Sequence, residues 1–136
     1  RPRFLPASKI NGAAIDQAII SDGCIIDRSR ISQSLIGVRC LIASGCRVHR
    51  SILLGSNNYE TEASKAASDR DGIPRIGVGA NTRIENTIVD KNARIGADCV
   101  ITPEDKPEQL DGKNYFIRDG IVIIPKNAVI PDGTVI

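Results

Sequence analysis

The side chains that could do chemistry in this chain are few, and the most suggestive of them are basic. Lys91 and Lys126 each stand two residues after an aliphatic residue, and each is followed by Asn-Ala. Arg39 lies in the segment Gly-Val-Arg-Cys. Lysine offers a phosphate group a point charge, and arginine offers it a planar fork of N–H donors. Symmetry between repeats would also produce the two matching lysines, so spacing alone favours repeated surface positions over a phosphate site.

His49 is the one histidine of the chain, and it directly follows Val48. Where an aliphatic residue of a strand points inward, the next residue points outward, and the sequence places no carboxylate close to this ring. We therefore expect a solvated surface histidine rather than a catalytic base. One histidine also excludes a three-histidine zinc site, and no glycine-rich phosphate loop precedes a helix. The sequence predicts no catalytic residue and no metal site within this chain.

The four cysteines share one position relative to the aliphatic residues. Cys24, Cys40, Cys46 and Cys99 each lie four residues after an isoleucine. We expect small buried thiols that serve as packing, because no Cys-x-x-Cys spacing indicates zinc. Cys24 and Cys40 are expected to stack in adjacent coils, where parallel Cβ directions disfavour a disulfide. All four thiols are therefore predicted to be free.

An aliphatic residue that recurs every five or six positions defines the frame for these side chains. Neither the period of a helix nor the alternation of a paired strand gives this spacing. A hexapeptide repeat is the signature of a parallel β-helix, in which each repeat is a short strand and a turn. The predicted fold is all-β, a left-handed parallel β-helix (a hexapeptide-repeat solenoid) with two loop insertions. The residues predicted to point inward are Ile20, Ile26, Ile31, Ile36, Ile42, Val48, Leu54, Val78, Ile84, Val89, Ile95, Ile101, Ile124, Ile130 and Ile136.

The series of inward aliphatic residues, which we call the ladder, also divides the chain into segments. Residues 1–9 carry two prolines and no ladder, and we interpret them as a linker from a missing N-terminal catalytic domain. Residues 10–136 are predicted to be the β-helix domain, with insertions near 56–75 and 102–114. The first insertion is predicted to hold a short helix at 60–68, and the second to be an excursion loop. Either insertion could be neutral decoration or could contact another domain or subunit, and the sequence leaves both open.

Charge and composition exclude several classes of partner. The net charge of +2 is too small to argue for nucleic acid or for a membrane surface. No apolar stretch approaches the ~18–20 residues of a membrane span, and no signal-peptide pattern indicates secretion. The chain starts at Arg1 without a methionine, and we interpret it as an excised or C-terminal fragment.

Seven short segments, in this order, resemble one known family. Together they are similar to the C-terminal domain of ADP-glucose pyrophosphorylase (glucose-1-phosphate adenylyltransferase) of the cyanobacterial and plant type, and they cover the chain from Leu5 to its end. The YETE insertion, DKNARIG and the terminal KNAxIPDG are far more specific than the bare ladder. The segments are LPASKI at 5–10, ISDGC at 20–24, SLIGVR at 34–39, YETEA at 59–63, IVDKNARIG at 88–96, FIRDGIVII at 116–124 and KNAVIPDGTVI at 126–136.

The resemblance implies a regulatory and oligomerising module. The family makes ADP-glucose and pyrophosphate from ATP and glucose 1-phosphate with Mg²⁺, in glycogen and starch synthesis, in an N-terminal nucleotidyltransferase domain. The β-helix domain would contact that domain and the other subunits of a homo- or hetero-tetramer, and would need no cofactor. Lys91 and Lys126 match the family's activator lysines, and Arg39 resembles a further contact for a phosphorylated metabolite. The implied compartment is the bacterial cytoplasm or the plastid stroma.

Two other functions remain as alternatives. A hexapeptide-repeat acyltransferase would use His49 as its base. A purely structural coil would only hold subunits together and would bind no effector at Lys91 or Lys126.

Overall fold

Three sheets, whose strands are parallel except at one edge of the third, wrap around one narrow core. A computed structural model describes residues 5–136, which form eighteen strands and one helix. The first sheet contains β1 (Lys9–Asn11), β4 (Ile25–Asp27), β7 (Leu41–Ile42), β10 (Gly77–Val78), β13 (Arg94–Ile95) and β18 (Val129–Ile130). The second contains β2 (Ala14–Asp16), β5 (Arg30–Ser32), β8 (Arg47–His49), β11 (Arg83–Glu85) and β14 (Val100–Ile101). The third contains β3 (Ile19–Ile20), β6 (Leu35–Ile36), β9 (Ile52–Leu53), β12 (Thr87–Val89), β15 (Gln109–Asp111), β16 (Phe116–Arg118) and β17 (Ile121–Ile124).

Each coil of the solenoid takes one strand from each sheet, and successive coils stack in register. Ile26 pairs with Ile42, Ile42 with Val78, and Ile95 with Ile130. Aliphatic side chains therefore lie above one another along the axis, and nearly all those predicted to point inward are buried. Because each coil packs only on its neighbours, the stability of such a fold is a sum of coil-to-coil contacts. This confirms the all-β parallel β-helix predicted from the period.

One position of the predicted ladder is wrong. Leu53, and not Leu54, pairs with Ile36 and is buried, with 1% of its surface exposed. The step from Val48 to Leu53 is five residues, as it is from Ile31 to Ile36 and from Ile84 to Val89, so the predicted step of six was wrong and the side chain at 54 leaves the core. A one-residue change of register moves a side chain to the other face of a strand.

Small polar residues line the corners of the coils and join one coil to the next. The Ser29 hydroxyl accepts a hydrogen bond from the amide of Cys46 at 3.2 Å, and that of Thr82 accepts one from Cys99 at 3.2 Å. The Cys46 thiol in turn donates to the carbonyl of Gly79 at 3.1 Å. The cysteines therefore belong to a series of small hydrogen-bonding residues, all four are buried, and all four are free.

The first insertion contains the helix α1 (Glu62–Asp71), two to three residues further along than predicted. Thr61 is its N-cap and accepts from the amide of Ser64, while Gly72 ends it with φ of 69°. This is the left-handed conformation that glycine adopts easily at a helix end. The insertion leaves the solenoid after Ser56 and returns at Ile76 as β10 begins.

The second insertion differs from the excursion loop predicted at 102–114. After Pro103 and Pro107, Gln109–Asp111 forms β15, which pairs antiparallel with β16, and β16 pairs antiparallel with β17. The sheet is therefore extended by a three-stranded meander. Leu110 packs against the core beside the buried Ile117, and the turn at Asp119-Gly120 closes a hairpin where a coil corner was expected. The break consequently runs six residues further than predicted.

The start of the solenoid also differs slightly from the predicted boundary. The first strand begins at Lys9, and residues before it already contact the first coil. The carbonyl of Pro6 accepts from the amide of Gly23 at 2.8 Å, and the Ser8 hydroxyl accepts from the amide of Cys24 at 3.2 Å. Part of the predicted linker, residues 1–4, lies outside the described residues. Within the described chain, no helix is long and apolar enough to cross a membrane.

Candidate functional site

Lys91 and Lys126 lie side by side on one corner of the prism. We call this the third corner, because it follows the strands of the third sheet. Val89 of β12 pairs with Ile124 of β17, and two residues later the amide of Asn127 donates to the carbonyl of Lys91 at 3.0 Å. The two lysines therefore occupy one slot in adjacent coils, about 4.8 Å apart at their Cα atoms. Both side chains are exposed, and neither forms a salt bridge within residues 5–136.

Each lysine is followed by an asparagine in the left-handed conformation. The φ angle is 62° at Asn92 and 63° at Asn127. Asparagine tolerates this conformation better than most residues because its short amide can hydrogen-bond locally. The side chain of Asn92 bonds instead to the neighbouring coil: its Oδ1 accepts from the amide of Asn57 at 3.0 Å and from the Ser56 hydroxyl at 3.1 Å. The corner that presents Lys91 is thereby tied to the start of the first insertion.

Arg39 lies on the same corner, two coils below Lys91. Backbone hydrogen bonds trace the path, since the amide of Ser56 donates to Val38 and the amide of Asn92 donates to Gly55. The Arg39 guanidinium donates to the carbonyl of Ser56 at 3.3 Å and lies 5.9 Å from the centre of the Tyr59 ring. The structure therefore brings all three basic residues singled out by the sequence to one edge of the solenoid.

The first insertion crosses this edge between Arg39 and the lysines and is anchored on both sides. The Tyr59 hydroxyl donates to the carbonyl of Gly23 at 2.8 Å, which ties the start of the insertion to the first coil. The next residue, Glu60, accepts from the Arg94 guanidinium at 2.9 Å, which ties it to the fifth coil. Arg94 also donates to the Ser68 hydroxyl at 3.0 Å and to the carbonyl of Pro74 at 2.9 Å. The insertion is held as a rigid part of this corner.

The environment of Glu60 favours its ionised form. Burial acts to raise the pKa of this carboxyl group. Hydrogen bonds from the amide of Ile76 and the hydroxyl of Ser64, together with the charge of Arg94, outweigh burial and hold its pKa below the ordinary value. Glu60 therefore stays charged next to the site, and its charge is balanced by the guanidinium of Arg94.

A cleft of about 360 Å³ opens between the insertion and the third corner. Its lining includes the amide side chains of Asn58, Asn92 and Asn127 and the hydroxyl of Thr61. A larger groove, about 530 Å³, lies between the first sheet and the end of the insertion, away from the third corner. Neither lysine lines the cleft itself, but Asn92 and Asn127, which directly follow Lys91 and Lys126, do. We therefore place the candidate site at the cleft and the corner beside it.

Sequence reasoning assigned no role to the residues that build this site around the charges. Tyr59, Glu60, Asn92 and Arg94 all lie within YETEA or DKNARIG, the segments that carried the resemblance. The resemblance therefore pointed to these segments. The contacts that join them to the rest of the site link residues far apart in the sequence, and Glu60 and Arg94, for example, are 34 positions apart. Hexad spacing does not report on such contacts.

His49 points outward as expected, but its surroundings differ from the sequence expectation. Its Nδ1 atom lies 2.7 Å from the hydroxyl of Ser32 in the coil below. Glu85 is its register partner in the coil above, so a carboxylate does lie nearby, in contrast to the expectation. That carboxylate hydrogen-bonds Arg83. Sequence distance concealed this neighbour because stacking joins residues a whole coil apart.

The remaining ionisable groups do not form a metal or thiolate centre. Among residues 5–136, no three His, Cys, Asp or Glu side chains gather closely enough to hold a metal ion. Burial raises the pKa of each of the four cysteine thiols above its ordinary value, so they stay protonated. They pack the corners of the coils.

Comparison with protein-family models gives one match that spans nearly the whole chain. The model is described as the GLGC left-handed parallel beta-helix domain, and it matches residues 3–135. The match includes both insertions, the third corner and all three basic residues. It agrees with the parallel stacking of the sheets and adds the left hand of the helix.

Proposed function

Because this chain belongs to the GLGC left-handed parallel β-helix domain family, a domain of glucose-1-phosphate adenylyltransferases, we propose that it is the regulatory and oligomerisation domain of such an enzyme. The intact enzyme would make ADP-glucose and pyrophosphate from ATP and glucose 1-phosphate. Catalysis, with its Mg²⁺, would take place in an N-terminal nucleotidyltransferase domain. The role of this domain would be to bind a phosphorylated metabolite and to contact its neighbours.

The proposal of a regulatory role rests on one observation: Lys91 and Lys126 occupy equivalent positions in adjacent coils. Two like charges stacked at this distance repel each other. A phosphate or carboxylate placed between them would turn that repulsion into two charge-assisted hydrogen bonds, each worth about 1.5–3 kcal/mol. The cleft beside them offers amide and hydroxyl groups that could hydrogen-bond the hydroxyl groups of a metabolite. Arg39, held by Ser56 and Tyr59, would extend the positive edge.

The observation that supports the assembly part is an apolar column on the outer face of the third sheet. Ile19 is 66% exposed, Leu35 37% and Ile52 40%, and these three are register partners. Ile88 and Ile123 continue the column, and Phe116 extends it onto the meander. A continuous exposed apolar strip on a rigid sheet marks a contact surface. We assign it to another domain or subunit of the tetramer.

Substitution of one lysine in the intact enzyme tests the regulatory proposal. We expect Lys126→Ala to raise the activator concentration that gives half-maximal activation by roughly tenfold, the factor that corresponds to about 1.4 kcal/mol. The measurement is enzyme activity as a function of a phosphorylated activator, at constant ionic strength.

Lys9→Ala is the matched control, since it removes the same charge from the first coil, on the outer face of the first sheet. It should give the activation curve of the unmodified enzyme. Equal curves for Lys126→Ala and the unmodified enzyme would refute the assignment. Such a result would favour the purely structural alternative.

A further inference from the structure

A second basic site lies on a different corner of the prism, between the first and second sheets. It is a shallow groove of about 260 Å³ that spans the first three coils. Its floor is made of small residues, and its walls carry the guanidinium groups of three arginines, Arg28, Arg30 and Arg47. The residues of the floor are Gly12, Ala14, Ser29, Gly45 and Cys46.

The three arginines have no acidic partner. None of them forms a salt bridge or a side-chain hydrogen bond with another part of residues 5–136, and no carboxylate lines the groove. The next arginine of the same column behaves differently. Arg83 is the register partner of Arg47, and its guanidinium is paired with Glu85 on its own strand. Along this column of the second sheet, the guanidinium groups without a partner are therefore those of the groove.

The fold forces two of these charges together. Arg30 and Arg47 are register partners in adjacent coils, so their Cα atoms lie about 4.8 Å apart and their side chains leave the sheet in the same direction. Like charges directly opposite each other destabilise a sheet. Arg28 adds a third charge from the corner, and its stem crosses Gly12, where an added Cβ would lie 3.4 Å from Cγ. Glycine at this position keeps the floor open beneath the guanidinium.

We propose that the groove lined by Arg28, Arg30 and Arg47 is a binding subsite for a phosphate dianion, free or as a monoester. Guanidinium groups offer paired N–H donors whose geometry matches the oxygens of phosphate. Two arginines on adjacent coils and one on the corner surround the anion on three sides. The small floor leaves room for a hydrated phosphate or for the first carbons of an ester.

This subsite is separate from the site at Lys91 and Lys126. The lysines lie on the third corner in the fourth and fifth coils, whereas the groove lies on the first corner in the first three coils. A phosphate bound in the groove contacts none of the residues of the third corner. The two sites are therefore distinguishable by substitution, and each can fail without the other.

The test is a titration of the isotopically labelled 136-residue chain, followed by amide NMR shifts. The probes are inorganic phosphate and glycerol 3-phosphate, with chloride adjusted to keep ionic strength constant. We expect saturable shifts at the amides of Gly12, Ser29 and Gly45. Equal affinity for both probes would identify the free dianion as sufficient, and tighter binding of the ester would identify a phosphorylated metabolite as the ligand.

Variants separate this subsite from general charge effects. Arg30→Gln with Arg47→Gln should weaken binding in the groove about tenfold or more. Lys91→Gln with Lys126→Gln should leave the groove shifts unchanged. Arg50→Gln with Arg70→Gln is the charge-matched control, since both side chains are exposed and lie outside the groove, and it should behave like the unmodified chain.

A stability measurement adds an independent readout. Because the double substitution of Arg30 and Arg47 removes an uncompensated repulsion, the variant should unfold at an equal or higher temperature without phosphate and should gain little from added phosphate. The unmodified chain should gain stability with phosphate concentration, as ligand linkage requires. The proposal is overturned if phosphate gives no saturable shift at the groove, or if the groove variant and the control bind it equally.

Discussion

The carboxylate of Glu60 lies 2.9 Å from the guanidinium of Arg94, and this pair joins the first insertion to the fifth coil. Only 4% of the Glu60 side chain and 22% of the Arg94 side chain is exposed. Arg94 lies three residues beyond Lys91 on the chain, so the pair couples the shape of the insertion to the corner that carries the lysines. The insertion thus forms one side of the cleft at the proposed effector site.

Loss of the Glu60 charge should weaken the attachment of the insertion to the solenoid. We expect Glu60→Gln to lower the free energy of unfolding by about 2 kcal/mol, because it leaves a half-buried guanidinium with a neutral partner. Chemical denaturation of the chain measures the change. Glu62→Gln is the matched control, since the Glu62 side chain is 94% exposed and 3.6 Å from Lys65, and it should cost well under about 1 kcal/mol. Equal losses in the two variants would contradict the role of the buried pair.

The same carboxylate predicts how stability depends on pH. Its pKa in the folded protein lies below the ordinary value of 4.5. A group with a lowered pKa contributes its stability in full above the unfolded pKa and loses it as pH falls through the folded pKa. The difference in unfolding free energy between the unmodified chain and Glu60→Gln should therefore be constant from about pH 7 to 5 and should shrink below about 4.5. Denaturation series at several pH values test this, and a difference that persists undiminished in acid would contradict it.

The cysteines should be inert until the coils open. Burial raises the pKa of all four thiols, and the thiolate is the reactive form. We expect a thiol reagent near pH 8 to react very slowly with the native chain and to find four groups after unfolding in denaturant. Two groups after unfolding would indicate a disulfide, and fast labelling of the native chain would contradict the buried stack.

The apolar column of the third sheet should control assembly of the intact enzyme. We expect Ile52→Lys to shift the enzyme towards smaller species in analytical ultracentrifugation, because a charge in the middle of an apolar contact is costly to desolvate. The side chain is 40% exposed, so the fold itself should lose less than about 1 kcal/mol. Ile25→Lys makes the same change at a side chain of the first sheet that is also 40% exposed, and it should leave the species distribution unchanged. Unaltered assembly in Ile52→Lys would remove the column from the interface.

The spacing of the aliphatic residues was enough to predict the fold of this chain, because a solenoid repeats the same short strand and turn. Every inward residue from Ile26 to Val48 could be read from spacing, since each coil repeats the last. Prediction failed at two places: Leu54 was chosen by a step of six where the neighbouring coils take five, which gives Leu53, and the second insertion became a meander. Spacing could not foresee the meander, because β15 is fixed by pairing with β16 and by burial of Ile117 beside Leu110.

For the candidate site, too, part could be predicted from the sequence and part required the tertiary structure. The sequence alone identified Lys91, Lys126 and Arg39 and placed both lysines in one kind of slot. Only the tertiary structure showed that all three lie on a single corner, that an insertion anchored by Tyr59 and Glu60 crosses it, and that Arg30 faces Arg47 on another corner. Local spacing determines which way a side chain leaves its strand. Which side chains meet across coils depends on the number of residues in the insertions and turns between them, and that is decided when the coils stack.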